Sequence, residues 1–252
     1  MRVKSTYRQF CPIARACEIV AQRWTPLLLR ELLCGSTRFN ELKRGLPQMS
    51  PSLLAQRLRE LELHGIVVRE VEGASVEYRL TPAGEDLRPI VEALGRWGQH
   101  WVERELTREE MDPALLVWDM HRRVAVAELP KERVVTRIDF RAVRGRQSRF
   151  WLIFDRPTVD VCFHDPGHEP ELFVTADLRA LVDVWMGART FSSALSDRSM
   201  TIEGRRDLCR RFPSWFERSN PLEHFYPSVF SYCLKPAPEY FRPVVVEMHH
   251  GL

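Results

Sequence analysis

Between Cys11 and Trp101 the spacing of apolar positions changes several times, and each change marks an element. Over residues 13–33 apolar side chains recur at three and four, predicting two helices or one bent helix, with Pro26 placed to open a helical turn. Residues 39–44 form a short amphipathic segment that Leu46-Pro47 breaks. Ser50-Pro51 then supplies a capping hydroxyl followed by a proline whose missing N–H is not needed there, so a helix starts at Ser50 and stops at Gly65. The period next drops to two, and the alternating halves of IVVREVEGASVEYRLT meet at Gly73-Ala74, predicting a hairpin. Thr81-Pro82 caps a final helix over residues 83–105, on which Leu87, Val91, Leu94, Trp97 and Trp101 form one stripe. Helix, helix, short helix, turn, capped helix and hairpin is the order of a winged helix-turn-helix.

Beyond residues 107–113 the pattern becomes strand-rich and aromatic. Residues 133–140, 150–154, 159–163, 171–174 and 199–203 read as strands, and 177–186 (closed by Gly187) and 207–216 as helices. The expected class is α+β: an N-terminal winged helix-turn-helix (1–108) followed by a mainly antiparallel sheet domain with helices on one face (113–252). The 17 prolines, several after Pro213, predict an irregular C-terminal extension that wraps.

A chain of 252 residues with 44% apolar and 28% charged residues is globular, long enough for one large or two ordinary domains. No apolar run approaches a membrane span and the start has no signal segment, so a soluble, cytoplasmic protein with no membrane partner is expected. The six cysteines are scattered and are expected to be reduced thiols. Net charge is +3, yet residues 1–64 hold 11 Lys and Arg against 5 Asp and Glu, a local +6 that leaves the remainder at −3. That skew points to nucleic acid.

On the helix from Ser50, steps of about 100° put Leu54, Leu58 and Leu61 toward the core and Ser52, Gln56 and Arg59 on the opposite side. Gln suits adenine and Arg suits guanine in a major groove, while a phosphate oxygen suits the free N–H groups near Ser50. Arg38, Lys43, Arg44 and Arg57 are expected on backbone phosphates, with Arg79 adding a charge on the hairpin. Glu70, Glu72 and Glu77 surround the hairpin tip, so it is not expected to enter a minor groove deeply. The stripe Leu87, Val91, Leu94, Trp97 and Trp101 is expected to join two copies, placing two recognition helices in successive major grooves of a pseudopalindromic double-stranded operator. The other reading packs it on the same chain's second half.

Residues 11–105 resemble the HxlR-type winged helix-turn-helix regulators, relatives of the MarR group. The likeness rests on Cys11-Pro12, on R-W-T-P-L-L-L-x-x-L at 23–32, on R-F-N-E-L at 38–42, on L-x-x-L-x-x-x-G-I-V, and on V-E-Y-R-L-T-P-A-G. It implies a dimeric bacterial transcription regulator whose recognition helix starts at Ser50 and whose support helix is 39–44. Some relatives use a cysteine at the start of the first helix as a thiol sensor, which makes Cys11 a candidate, beside a buried structural role. Residues 114–217 resemble a sterol carrier protein 2-type domain, through T-A-D-L-x-x-L-x-x-x-W-x-G and I-E-G-x-x-x-L. That resemblance implies an apolar tunnel for a hydrophobic or acyl-like small molecule, lined by Trp151, Phe154, Phe163, Trp185, Phe191, Leu195, Phe212 and Trp215, which otherwise read as plain core.

No catalytic motif is present: there is no P-loop, glycine-rich dinucleotide loop, G-x-S-x-G or H-E-x-x-H. His164, Asp165 and His168 sit in a Pro-Gly turn without further ligands, and His249 and His250 end the chain, so neither metal nor cofactor is expected. The leading expectation is a homodimeric, ligand-responsive transcription regulator and not an enzyme. The alternative is a carrier or sequestering protein for lipid or acyl molecules whose N-terminal domain only dimerises.

Overall fold

The structure is a computed structural model that describes residues 6–102 and 106–217. Helix α1 (Pro12–Val20) and helix α2 (Thr25–Leu33) are separated by Trp24, whose φ of 77° turns the chain sharply between them. Helix α3 (Phe39–Gly45) leads into helix α4 (Pro51–Leu63), where the Ser50 hydroxyl accepts a hydrogen bond from the Leu53 N–H at 3.3 Å. Gly65, at φ 66°, ends that turn in the left-handed region that glycine enters without strain. Leu28, Leu29 and Leu32 of α2, Leu42 of α3, and Leu54, Leu58 and Leu61 of α4 close one core.

The hairpin is β1 (Val67–Glu72) and β2 (Ser75–Leu80), paired antiparallel with Val71 opposite Val76. The Tyr78 N–H donates to the Thr37 carbonyl at 2.8 Å, tying the wing to the loop before α3. The helix expected as continuous over 83–105 is broken into α5 (Pro82–Glu85) and α6 (Arg88–Trp101). Pro89 is the reason: it has no N–H to give the Glu85 carbonyl, so the helix restarts around it.

Helix α7 (Pro113–Arg122) opens the second half, its N-terminus capped by the Asp112 carboxylate, which accepts from Ala114 and Leu115. Five strands follow, β3 (Val134–Arg141), β4 (Arg149–Asp155), β5 (Thr158–Cys162), β6 (Leu172–Asp177) and β7 (Met200–Gly204), in the spatial order β5-β4-β3-β6-β7. All neighbours are antiparallel except β3 and β6, which run parallel and make the sheet mixed. Helices α8 (Leu178–Trp185), α9 (Phe191–Ser196), α10 (Arg206–Arg211) and α11 (Ser214–Glu217) pack with α7 on one face of it. The single helix expected over 207–216 is divided because Pro213 follows α10. The predicted wrapping extension lies outside the described residues.

The two halves meet around one buried carboxylate. Glu31 of α2 is 0% exposed and accepts from Arg30 at 2.7 Å and from Arg122 of α7 at 2.8 Å, with Trp118 Nε1 at 3.4 Å. Arg122 also pairs with Asp119 at 3.0 Å, and Asp119 accepts from Trp185 Nε1 at 2.8 Å, so the charge network reaches the helical layer of the sheet. Gly45 of α3 leaves room for that carboxylate: a Cβ there would stand 1.8 Å from Glu31 Oε2, so one of the two would have to shift. Burial pushes the Cys34 thiol up to about 11, which makes it an unreactive neighbour of this cluster. Burial also pushes His121 down to about 4; Arg122 acts in the same direction and a hydrogen bond to the Trp118 carbonyl opposes it.

Two outcomes are expected. Glu31→Ala leaves the buried Arg122 with Asp119 as its remaining carboxylate and should lower stability by about 3 kcal/mol in urea unfolding, whereas Gly45→Ala, which forces the carboxylate aside, should cost about 1–3 kcal/mol. His121 is neutral when folded, so from its ordinary 6.5 down to about 4 the unfolded chain takes up a proton that the folded chain refuses. Stability should therefore fall on acidification by up to roughly 3 kcal/mol over that window, and His121→Phe should flatten that part of the curve.

Candidate nucleic-acid interface

Helix α4 presents Ser52, Gln56 and Arg59 to solvent on one strip, while Leu54, Leu58 and Leu61 are buried beneath it. Neither the wing nor the described residues of the second half cover the strip. The Ser50 and Ser52 hydroxyls lie 3.2 Å apart at the helix start, and the Gln56 amide donates to Glu60 at 3.2 Å. Leu63, on the same angular sector, is also exposed and extends the strip with an apolar end.

The surrounding cations are less free than their sequence positions imply. Arg57 is half-buried, donating to Gln22 and Glu60, and so does not share the open face. Lys43 gives its ammonium to the Pro47 carbonyl at 2.9 Å, bracing the turn between α3 and α4. Arg44 stacks over Trp118 and Phe163, with its guanidinium carbon 5.5 and 5.3 Å from their ring centres. Arg79 on the wing is held by Glu70 at 2.8 Å and by Glu77 at 2.5 Å, and Arg38 lies 3.6 Å from Glu77. The exposed cations without an acidic partner among the described residues therefore include Arg59 on the strip and Arg69 on β1.

On α6, Leu87 and Val91 pack against the first core, but Leu94, Trp97 and Trp101 are 54%, 60% and 52% exposed, and Ile90 joins them. The described residues of the second half leave these side chains exposed.

The eight aromatic and aliphatic residues singled out in the second half do not form one lining. Trp151 points to the opposite face of the sheet, where it clusters with Val135 and Ile153, because positions 151 and 154 differ by an odd step along β4. Phe154 faces the helical layer and meets its aromatic residues Phe191, Phe212 and Trp215 in one cluster, with Phe154 and Trp215 ring centres 4.8 Å apart and Phe212 and Trp215 5.5 Å apart. Trp185 joins that cluster through Phe216, and Phe163 stacks edge-on against Phe150. Leu195 lines a shallow cleft of about 400 Å³ with Ser192, Ser196, Arg210, Pro213 and Ser214.

Cys11 is half-exposed at the N-cap of α1, its carbonyl accepting the Arg15 N–H at 3.1 Å. An open cleft of about 780 Å³ beside α1 is lined by Tyr7, Arg15, Cys17, Glu18 and His64 among others. Asp165 accepts from the Gly167 N–H at 2.8 Å and so closes its own turn. Among the described residues no three His, Cys, Asp or Glu side chains are grouped to hold a metal, and no helix is long and apolar enough to cross a membrane. His249 and His250 lie outside the described residues.

Sequence reasoning missed Glu31, Trp118 and Arg122, the residues that join the two halves. One signal was present: Glu31 falls on the same side of α2 as Leu28 and Leu32, where a lone carboxylate requires a buried partner.

Comparison with known proteins places residues 19–106 in the HxlR-like helix-turn-helix family model. YvaP of Bacillus subtilis (strain 168), described as an HTH-type transcriptional regulator, is 38% identical over 99 residues, covering 38% of this chain and 92% of YvaP. The regulator sll1512 of Synechocystis is 39% identical over 98 residues, covering 38% of this chain and 73% of its own length. Among solved structures, the redox regulator HypR in its oxidised form is 36% identical with a TM-score of 0.36, covering 38% of this chain and all of HypR. An exposed polar strip on a serine-capped fourth helix, a hairpin wing beside it and this sequence likeness converge: the chain belongs to the HxlR family of helix-turn-helix transcriptional regulators.

Proposed function

We propose that the chain is a homodimeric, cytoplasmic regulator that reads a pseudopalindromic double-stranded operator through α4. The observation that carries this reading is the open strip Ser52, Gln56 and Arg59, side chains of the types that read major-groove base edges, on a helix whose reverse side is core. Ser50 and the N–H groups it leaves free face a phosphate, and Arg38 adds a second backbone contact. The wing contributes little charge, since Arg79 is neutralised by Glu70 and Glu77.

Dimerisation is supported by the exposed stripe of α6. Four large apolar side chains, two of them tryptophan, would leave water together when a second copy of α6 packs on them, and a two-fold axis there sets two α4 helices about one turn of duplex apart. Residues 1–108 form the DNA-binding and dimerising domain in this reading, and 113–252 form an effector domain. The sterol carrier protein 2-type resemblance supports a hydrophobic or acyl-like effector, and the tight ring-on-ring contacts of Phe154, Phe212 and Trp215 mean that such a ligand enters by displacing core aromatics. Cys11, half-exposed at a helix start, is a second regulatory point in this reading.

The base-reading assignment is tested by Gln56→Ala and Arg59→Ala, each expected to cost about 1–3 kcal/mol on the operator and to relax preference at one position, whereas Arg38→Ala weakens all duplexes alike. Unchanged binding on every sequence would remove α4 from the interface. For the dimer, Trp97→Ala with Trp101→Ala should shift the sedimenting species to the monomer and weaken operator binding at least about tenfold, because each half-site then binds alone. A variant that stays dimeric overturns that interface.

A further inference from the structure

Arg44 stands in the last turn of α3, directly before the turn into α4, where its charge has two competing uses. Among the described residues it makes no ion pair. Its guanidinium instead rests on Trp118 of α7 and on Phe163 just past β5, at 5.5 and 5.3 Å from the ring centres, and the residue is still exposed to solvent. Both rings belong to the second half of the chain, and both are anchored there. Trp118 is buried and directs its indole N–H at Glu31, while Phe163 meets Phe150 edge-on at 5.6 Å, and Phe150 meets Phe140 at 5.9 Å. The seat that holds Arg44 is therefore continuous with the aromatic core of the sheet layer.

A cation on a ring face is weakly held at an exposed site, and a backbone phosphate beside the α3–α4 turn offers it a stronger partner. We propose that the second half of the chain withholds Arg44 from DNA by seating it on Trp118 and Phe163, and that displacing those rings releases one additional phosphate contact. This inference rests on α4 being the DNA-reading helix. It names the residue through which the sheet layer changes the affinity of the winged helix: a ligand or packing change that moves Phe163 frees Arg44, and the response is a gain in affinity common to all sequences.

The test is a double-mutant cycle in the full chain, with fluorescence anisotropy on an operator duplex and on an unrelated duplex over a salt series. Phe163→Leu should tighten binding about two- to fivefold on both duplexes and steepen the dependence of log affinity on log salt by about 0.9, the signature of one more neutralised phosphate. Arg44→Met should change the wild-type slope by far less than 0.9, should remove about 0.9 in the Phe163→Leu background, and should abolish the effect of Phe163→Leu. Phe163→Tyr, which keeps the ring, should behave as wild type. A loss of about 0.9 in slope on Arg44→Met alone would mean that Arg44 already contacts DNA, and would overturn the proposal without any variant of Phe163. An equal effect of Phe163→Leu with and without Arg44 would also overturn it. Failure of the wild-type chain to bind any duplex would bring down the DNA-reading assignment and this inference together, whereas binding that depends on Arg59 with no coupling between Arg44 and Phe163 would sink this inference alone.

Discussion

The architecture turns on the carboxylate of Glu31, which has no access to water and must find its partners inside the protein. One partner, Arg30, adjoins it in α2; the other, Arg122, lies more than ninety residues further on. A buried ion pair adds modest net stability, because desolvation offsets most of its attraction, but breaking it on one side is expensive. The effect is registry. Helix α7 docks on the winged helix with Trp118 beside Glu31 and Gly45 leaving room for the carboxylate.

That docking decides which cations remain for a ligand. The basic surplus of residues 1–64 suggests a broadly positive surface, yet much of it already has partners within the protein: Arg30 and Arg57 are bound to glutamates, Lys43 to a turn carbonyl, and the still-exposed Arg44 rests on aromatic rings. Desolvation explains the pattern, since a cation that loses part of its water against the protein gains from a carboxylate, carbonyl or ring face. The open strip of α4 is accordingly governed by the shape and hydrogen bonding of Ser52, Gln56 and Arg59 more than by bulk charge.

The sheet layer shows the same logic in apolar form. One face of the five strands packs on five helices, and among the described residues the opposite face carries a small cluster of Val135, Trp151 and Ile153 amid charged neighbours such as Arg137 and Asp139. With Phe154, Phe212, Trp215 and Phe216 stacked ring against ring, movement of one displaces the next, because close-packed interiors have no slack to absorb it.

Local chemistry alone determined a good deal. The serine cap and the following proline locate the start of α4, the period-two alternation locates the wing, and the heptad-like spacing of leucines separates the buried face of α4 from its polar strip; each depends on neighbours within a few residues. The breaks at Pro89 and Pro213 were readable in principle by the same means, but the long apolar stripe around each outweighed a single missing N–H. Long-range matters were decided by the tertiary structure: the parallel pairing of β3 with β6, the opposite facing of Trp151 and Phe154, the contacts of Arg44 with Trp118 and Phe163 and of Arg57 with Gln22, and above all the pairing of Glu31 with Arg122. A sequence records which side chains carry charge or apolar surface, whereas which of them meet is settled only when distant segments lose their water together.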